Sequence, residues 1–185
     1  MSTSVIEKEK TKKTYKDYEQ LPEGAPYQLI GGELIMTPAP VPYHQIILGR
    51  IGFDLTKFIK ERKSGEVIYA PIDVYLSETE TYQPDIIFIS NERLNIIGNK
   101  KIEAAPDLVI EILSESTAYY DLRLKKRVYE KSGVKEYWIV DPMEKSIEVY
   151  ENSNGEFKAF SQGQGKKIVK SKLLEGFSVE LEKIF

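Results

Sequence analysis

The chain has no cysteine and a single histidine, His44. Without cysteine there is no disulfide framework and no thiolate metal site. With one histidine, a usual zinc ligand set is missing too. No apolar run is long enough to span a bilayer. The opening residues, MSTSVIEKEKTKKTYK, lack the apolar segment of a secretory signal. Positive charge is not in excess either: 26 Lys and Arg stand against 29 Asp and Glu, a net charge of −3. Domains that hold nucleic acid by charge alone are usually basic, so composition speaks mildly against that class. Together these absences favour a cytoplasmic protein with no membrane partner.

What is present suits one folded domain. A chain of 185 residues, 41% of them hydrophobic, can bury a substantial core. Residues 1–13, rich in Lys, Glu, Ser and Thr without periodicity, read as a mobile tail, and 14–185 as a single domain. Two apolar runs in YQLIGGELIMT flank Gly31-Gly32, a two-residue hairpin signal. Glu33 follows that turn, as a solvated residue or as a neighbour of a site. Pro42 suits the first turn of a helix over 42–62, whose apolar stripe is Leu48, Ile51, Leu55, Phe58 and Ile59. His44 heads that stripe. It reads either as a core-edge residue or as a group facing a phosphate or a water from the helix start.

Strands are expected over 67–76, with an irregularity at Pro71, and over 84–90 and 107–113. A helix over 116–132 capped by Gly133, then a strand over 135–142, make a parallel crossover. Short strands follow near 146–151, 157–160 and 166–169, and FSVELEKIF forms a last strand or turn. Helix, three strands, helix, strand and a hairpin-rich tail give a mixed α/β sheet with two long helices packed on it.

The chemistry concentrates in 106–129, PDLVIEILSESTAYYDLRLKKRVY. Glu111 lies inside a nearly continuous apolar strand of the kind covered on both faces. A buried carboxylate needs a cation or a metal beside it. At about 100° per residue, Ala118, Leu122, Leu124, Val128 and Tyr129 define the packed arc of the following helix. Lys125 falls inside that arc, one turn after Asp121, whereas Arg123, Lys126, Arg127, Glu130 and Lys131 fall outside it. An internal Asp121–Lys125 pair with no catalytic role explains this as well as a site does. Asp85 opens the neighbouring strand. If strands 84–90 and 107–113 pair, Asp85 and Glu111 can meet, and two carboxylates with carbonyl oxygen suit Mg²⁺ or Mn²⁺.

QPDIIFIS, APDLVIEILSEST, the D-x-x-x-K-x-x-x-Y array at Asp121, Lys125 and Tyr129, and GVKEYWIVDP together resemble the restriction-endonuclease-like family of the PD-(D/E)XK nuclease superfamily. YQLIGGELIMTPAP and His44 match its N-terminal pattern, and the likeness covers roughly residues 25–183. The resemblance implies a core of helix, three strands, helix and strand. It also implies hydrolysis of DNA phosphodiesters by a metal-activated water, with Mg²⁺ as the cofactor and Mn²⁺ as a substitute. Asp85 and Glu111 then correspond to the metal carboxylates, with a main-chain carbonyl near residue 112 as a further ligand. Leu113 stands where the superfamily's usual lysine belongs, and Lys125 looks like its relocated equivalent. Asp121, His44, Glu33 and Tyr129 are supporting candidates. Cutting both strands of a duplex calls for two sites, so a homodimer is expected by analogy. The alternative is a nuclease-like fold that has lost catalysis and serves as an interaction or nucleic-acid-binding module.

Overall fold

The computed structural model describes residues 11–114 and 120–185, with the backbone alone at Asp121. The tail expected over 1–13 lies outside the described residues except for its last three. Of these, Lys13 donates its amide to Gly32 O at 2.8 Å. A short helix, α1 (Tyr15–Tyr18), opens the described chain. The hairpin β1 (Tyr27–Ile30) and β2 (Glu33–Met36) then turns at Gly31-Gly32. Both glycines have positive φ, 62° and 82°, as a tight two-residue hairpin turn requires.

Helix α2 runs Pro42–Arg62, with proline at its start as expected. Its buried seam is Ile47, Ile51, Leu55 and Ile59, with Leu48 and Phe58 partly buried beside it. The single strand expected over 67–76 is two strands, β3 (Gly65–Tyr69) and β4 (Val74–Ser77). Pro71 stands in the gap, where it has no amide hydrogen to give to a ladder. The two halves join different sheets. β4 lies in a small antiparallel sheet of order β2-β1-β5-β4, where β5 is Glu80–Tyr82. β3 is an edge of the main sheet.

That main sheet has six strands. Besides β3 it contains β6 (Ile86–Ser90), β7 (Leu108–Ile112), β8 (Glu136–Asp141), β9 (Ser146–Ser153) and β10 (Glu156–Gln164). Their order is β10-β9-β8-β7-β6-β3. Only β7 and β8 are parallel, joined by the crossover that carries helix α3 (Lys126–Ser132), which ends at Gly133. The short strands expected near 146–151 and 157–160 are one long hairpin. β11 (Ile168–Lys170) pairs with β12 (Ser178–Glu180), and α4 (Leu181–Ile184) closes the chain. The expected mixed sheet is therefore observed. Among the described residues no helix is long and apolar enough to cross a membrane.

Side chains alternate across a strand, so a central strand feeds two cores. Leu108, Ile110 and Ile112 of β7 join Ile86 and Phe88 of β6 in packing under α2. Val109 and Leu113 face the other way, with Ile87, Tyr129, Tyr137 and, from the small sheet, Ile30, Val74 and Tyr82. The main sheet is covered on one side by α2 and on the other by α3 and the small sheet. That double cover makes β7 almost wholly apolar.

Two buried carboxylates pin this frame. Glu136, at the start of β8, is fully buried and accepts four hydrogen bonds. They come from Trp138 Nε1 at 2.7 Å, Ser171 Oγ at 2.6 Å, Lys172 N at 2.6 Å and Leu173 N at 2.8 Å. It ties the chain leaving β11 to the main sheet. Asp107 accepts from Ser90 N at 2.8 Å and lies against Lys135 Nζ at 2.7 Å and Arg93 Nη1 at 3.2 Å. Burial alone would push the Asp107 carboxyl up. The hydrogen bonds from Lys135, the Ser90 amide and Arg93 outweigh it and hold the group below the usual carboxylate range.

Two stability experiments follow from these anchors. Glu136→Ala leaves buried donors without an acceptor, and the expected loss is about 3 kcal/mol in denaturant unfolding. An unchanged midpoint would contradict the clamp. Asp107 stabilises the fold fully above the unfolded carboxyl's titration, at about pH 3.9. That contribution disappears as the pH falls through the lower folded value. Asp107→Asn should therefore lower stability at neutral pH and flatten its decline in acid, as read from melting temperatures across pH 2–7.

Candidate active site

The site forms where β7 outruns its ladder with β6. The last antiparallel pair there is Ile86 with Ile110, which sets Asp85 opposite Glu111 by register. Strand pairing thus sets the two residues side by side, while their side chains take different partners, Asp85 on the α2 side and Glu111 on the α3 side. Beyond that pair, the Ile112 amide is served by a side chain: Asp85 Oδ2 accepts it at 2.7 Å. Asp85's own carbonyl accepts the Ala70 amide at 3.0 Å, which fixes the residue from the β3 side.

His44 reaches the same place from the first turn of α2. Its Nε2 lies 3.2 Å from Ile112 O and 3.3 Å from Asp85 Oδ1. A carbonyl and a carboxylate can only accept, so Nε2 carries the proton and donates. Asp85 and His44 between them hold both the amide and the carbonyl of Ile112. The histidine at the head of the α2 stripe therefore belongs to the cluster, and it is buried.

Glu111 points to the opposite face of β7, toward α3. It is 3% exposed, and its Oε1 takes two donors, Lys125 Nζ at 3.1 Å and Tyr129 OH at 2.7 Å. Lys125 and Tyr129 are four residues apart, one helical turn, so one face of the crossover delivers both. Burial, then the Glu111 charge and the nearby Tyr137, push the Tyr129 phenol well above its ordinary range. It stays protonated and donates. Leu113, where the resemblance leads to the expectation of a lysine, is buried on the same face with Tyr129 and Tyr82. The ammonium beside Glu111 comes from the crossover.

The route to Lys125 differs from a regular helical wheel. Tyr120–Lys125 form a π-helical turn before α3 begins. That turn is wider than an α-turn, so angles counted at 100° per residue drift across it. Leu122 and Leu124, expected in the packed arc, are exposed at 44% and 39%, whereas Lys125 is buried at 2%. Lys126 points elsewhere, its Nζ lying 3.2 Å from the centroid of the Tyr150 ring. Ala118 of the same arc and the side chain of Asp121 lie outside the described residues. Lys125 pairs with Glu111.

Glu33 opens β2 at the mouth of the first hairpin and is exposed. Among the described residues no hydrogen bond or ion pair joins it to the cluster. The side chain that does reach the cluster from the small sheet is Tyr82, which sequence reasoning missed. It sits in SETETY, a segment expected to be a polar turn; its one available signal was an aromatic next to Gln83-Pro84-Asp85. Lys125 Nζ stands over its ring, 5.8 Å from the centroid.

Among the described residues, no three His, Asp or Glu side chains gather as a ready-made metal cluster. What the strand ends offer is two carboxylates, Asp85 and Glu111, and the Ile112 carbonyl. These are hard oxygen donors, and their chemistry fits Mg²⁺ or Mn²⁺.

With this geometry in view, the comparisons are specific. The model of the family described as "Putative restriction endonuclease", Uma2, matches residues 15–182. The chain belongs to the Uma2 family. A crystal structure from Anabaena variabilis ATCC 29413, described as "a putative nuclease belonging to DUF820", has the same fold. Its TM-score is 0.77 at 22% sequence identity, over 93% of this chain and 97% of that one. A search of curated proteins finds no match. The Uma2 match spans every element that carries a cluster residue, from the first hairpin to β8 and beyond.

The Lys125–Glu111 pair can be tested on stability alone. Lys125→Met leaves Glu111 buried without its cation, and the expected cost is about 3 kcal/mol. Adding Glu111→Gln should recover much of that loss, because a neutral amide tolerates the site. Strict additivity of the two substitutions in unfolding experiments would show that the groups are not coupled.

Proposed function

We propose that this Uma2 chain is a metal-dependent DNA endonuclease. The observation that supports the reading is the placement, at one end of β6 and β7, of Asp85 opposite Glu111 in register, with the buried Lys125 paired to Glu111. Asp85 and Glu111, with the Ile112 carbonyl, would hold Mg²⁺ or Mn²⁺, which when bound polarises a phosphoryl oxygen and lowers the pKa of water. Lys125 supplies an ammonium that orients the attacking water or offsets charge developing on the phosphate. Tyr129 holds Glu111 by its second donor to Oε1, and His44 holds the Ile112 carbonyl and Asp85 in register. Asp121 remains a candidate support for Lys125. No nucleophilic side chain is required.

A duplex has two strands and each chain carries one such cluster, so double-strand cutting would use a two-fold homodimer. The family description and the relative's description as a nuclease support a nucleic-acid substrate. The net charge of −3 fits a protein whose grip on DNA depends on more than bulk charge.

A second reading is an inert nuclease-like module. The observation behind it is that both carboxylates already have internal partners, Lys125 on Glu111 and His44 on Asp85. Calorimetry with Mn²⁺ separates the two: the endonuclease takes up the ion and loses that uptake in Glu111→Ala, and the inert module shows none. Plasmid nicking or cleavage should require Mg²⁺ or Mn²⁺. It should fall about a hundredfold or more in Glu111→Ala and in Lys125→Ala. Cleavage that persists in both variants would sink the endonuclease reading.

A further inference from the structure

We infer that Tyr82 is a positioning residue for Lys125, and that the small sheet thereby takes part in the site. The catalytic consequence rests on the endonuclease reading above; the structural claim does not.

Tyr82 is fully buried, and no element of the main sheet carries it. Its ring meets Tyr129 edge to face, with centroids 5.5 Å apart and planes at 87°. The Lys125 ammonium lies over its face at 5.8 Å. Lys125 is therefore bounded by the Glu111 carboxylate and by the electron-rich face of an aromatic ring. A ring face attracts a cation within about 6 Å, and more strongly where water is excluded. A lysine side chain loses much conformational freedom when fixed, so a second attraction matters for holding one rotamer.

The ring is itself held. Tyr82 OH donates to Glu80 Oε2 at 2.5 Å, and the same oxygen accepts the Gly31 amide at 2.9 Å. Burial, then the Glu80 hydrogen bond and charge, raise the Tyr82 phenol above its ordinary range, so it keeps its proton. A continuous path thus runs from the Gly31-Gly32 turn through Glu80 and Tyr82 to Lys125. This is how the first hairpin connects to the cluster.

A merely structural tyrosine would tolerate any apolar replacement of similar bulk; a positioning ring would tolerate only another ring. The test compares Tyr82→Phe, which keeps the face, with Tyr82→Leu, which fills volume without it. Tyr82→Met replaces the leucine variant if the latter does not fold. The first readout is the ¹⁵N-labelled Lys125 ammonium by NMR, which needs no catalysis. It should give a protected, slowly exchanging signal in the wild type and in Tyr82→Phe. The signal should be lost in Tyr82→Leu. Its absence from the wild type, or its persistence in the leucine or methionine variant, overturns the inference.

The second readout is cleavage. Tyr82→Leu should lower kcat about tenfold with little change in KM, and Tyr82→Phe should retain most of the wild-type kcat. Adding Tyr82→Leu to Lys125→Met should cost nothing further, because the ring acts through the lysine. Additive losses would overturn the inference. A wild-type chain that shows the protected ammonium but no cleavage would support the placement of Lys125 and sink the endonuclease reading.

Discussion

A carboxylate inside a sheet covered on both faces is the constraint on which this structure turns. Glu111 cannot stay ionised there without donors, since a lone buried charge costs several kcal/mol. The fold meets that demand from one side, with Lys125 and Tyr129 both on Oε1. Much of the crossover's geometry follows. The helix must pass close enough to β7 for a lysine and a tyrosine one turn apart to reach the same oxygen. Because β7 and β8 are parallel, the chain has to cross that face of the sheet anyway. The topological connection and the charge compensation are made by the same segment.

Asp85 answers a different demand. At the end of the β6–β7 ladder the Ile112 amide needs an acceptor, and the Asp85 side chain provides it. An aspartate at a strand end is often just such a cap. Here the imidazole of His44 also lies within hydrogen-bonding reach of both the Asp85 carboxylate and the Ile112 carbonyl, with Glu111 on the other face of the same strand. The step from structure to chemistry is therefore small. Groups that satisfy the backbone where two strands diverge are the same hard oxygen donors a divalent cation prefers.

How much of this was legible in the sequence depended on whether a signal was local. The α2 span, the Gly31-Gly32 turn, the Gly133 cap and the parallel crossover follow from spacing and turn chemistry, and all are observed. The long β9–β10 hairpin had a local sign as well, Asn154-Gly155, whose two positive φ angles make its turn. Burial of carboxylates was less legible. Asp107, Glu111 and Glu136 all lie in apolar surroundings, yet two of them anchor backbone and loops, and sequence alone offers no rule for telling them apart. Tyr82 was barely legible because its place over Lys125 depends on one sheet packing against another. Leu122 and Leu124 were misplaced because a wheel presumes 3.6 residues per turn, and a π-helical turn breaks that presumption.

The π-helical turn also bears on why Lys125 stands where it does. A lysine two residues after the glutamate, as in the nuclease superfamily motif that the sequence resembles, would share its strand face by simple alternation. Here Leu113 holds that place and packs among Tyr82, Tyr129 and Tyr137. With leucine at 113, that strand face beside Glu111 is apolar and offers no cation. A lysine from the crossover can supply that cation if its turn aims inward. The wider turn ending at Lys125 coincides with that aim, since the residues just before it face solvent and Lys125 itself is buried. Tyr129, four residues on, then falls on the same face without further adjustment. The leucine, the widened turn and the lysine–tyrosine pair thus meet on one face of β7, with the cation Glu111 needs supplied from the crossover.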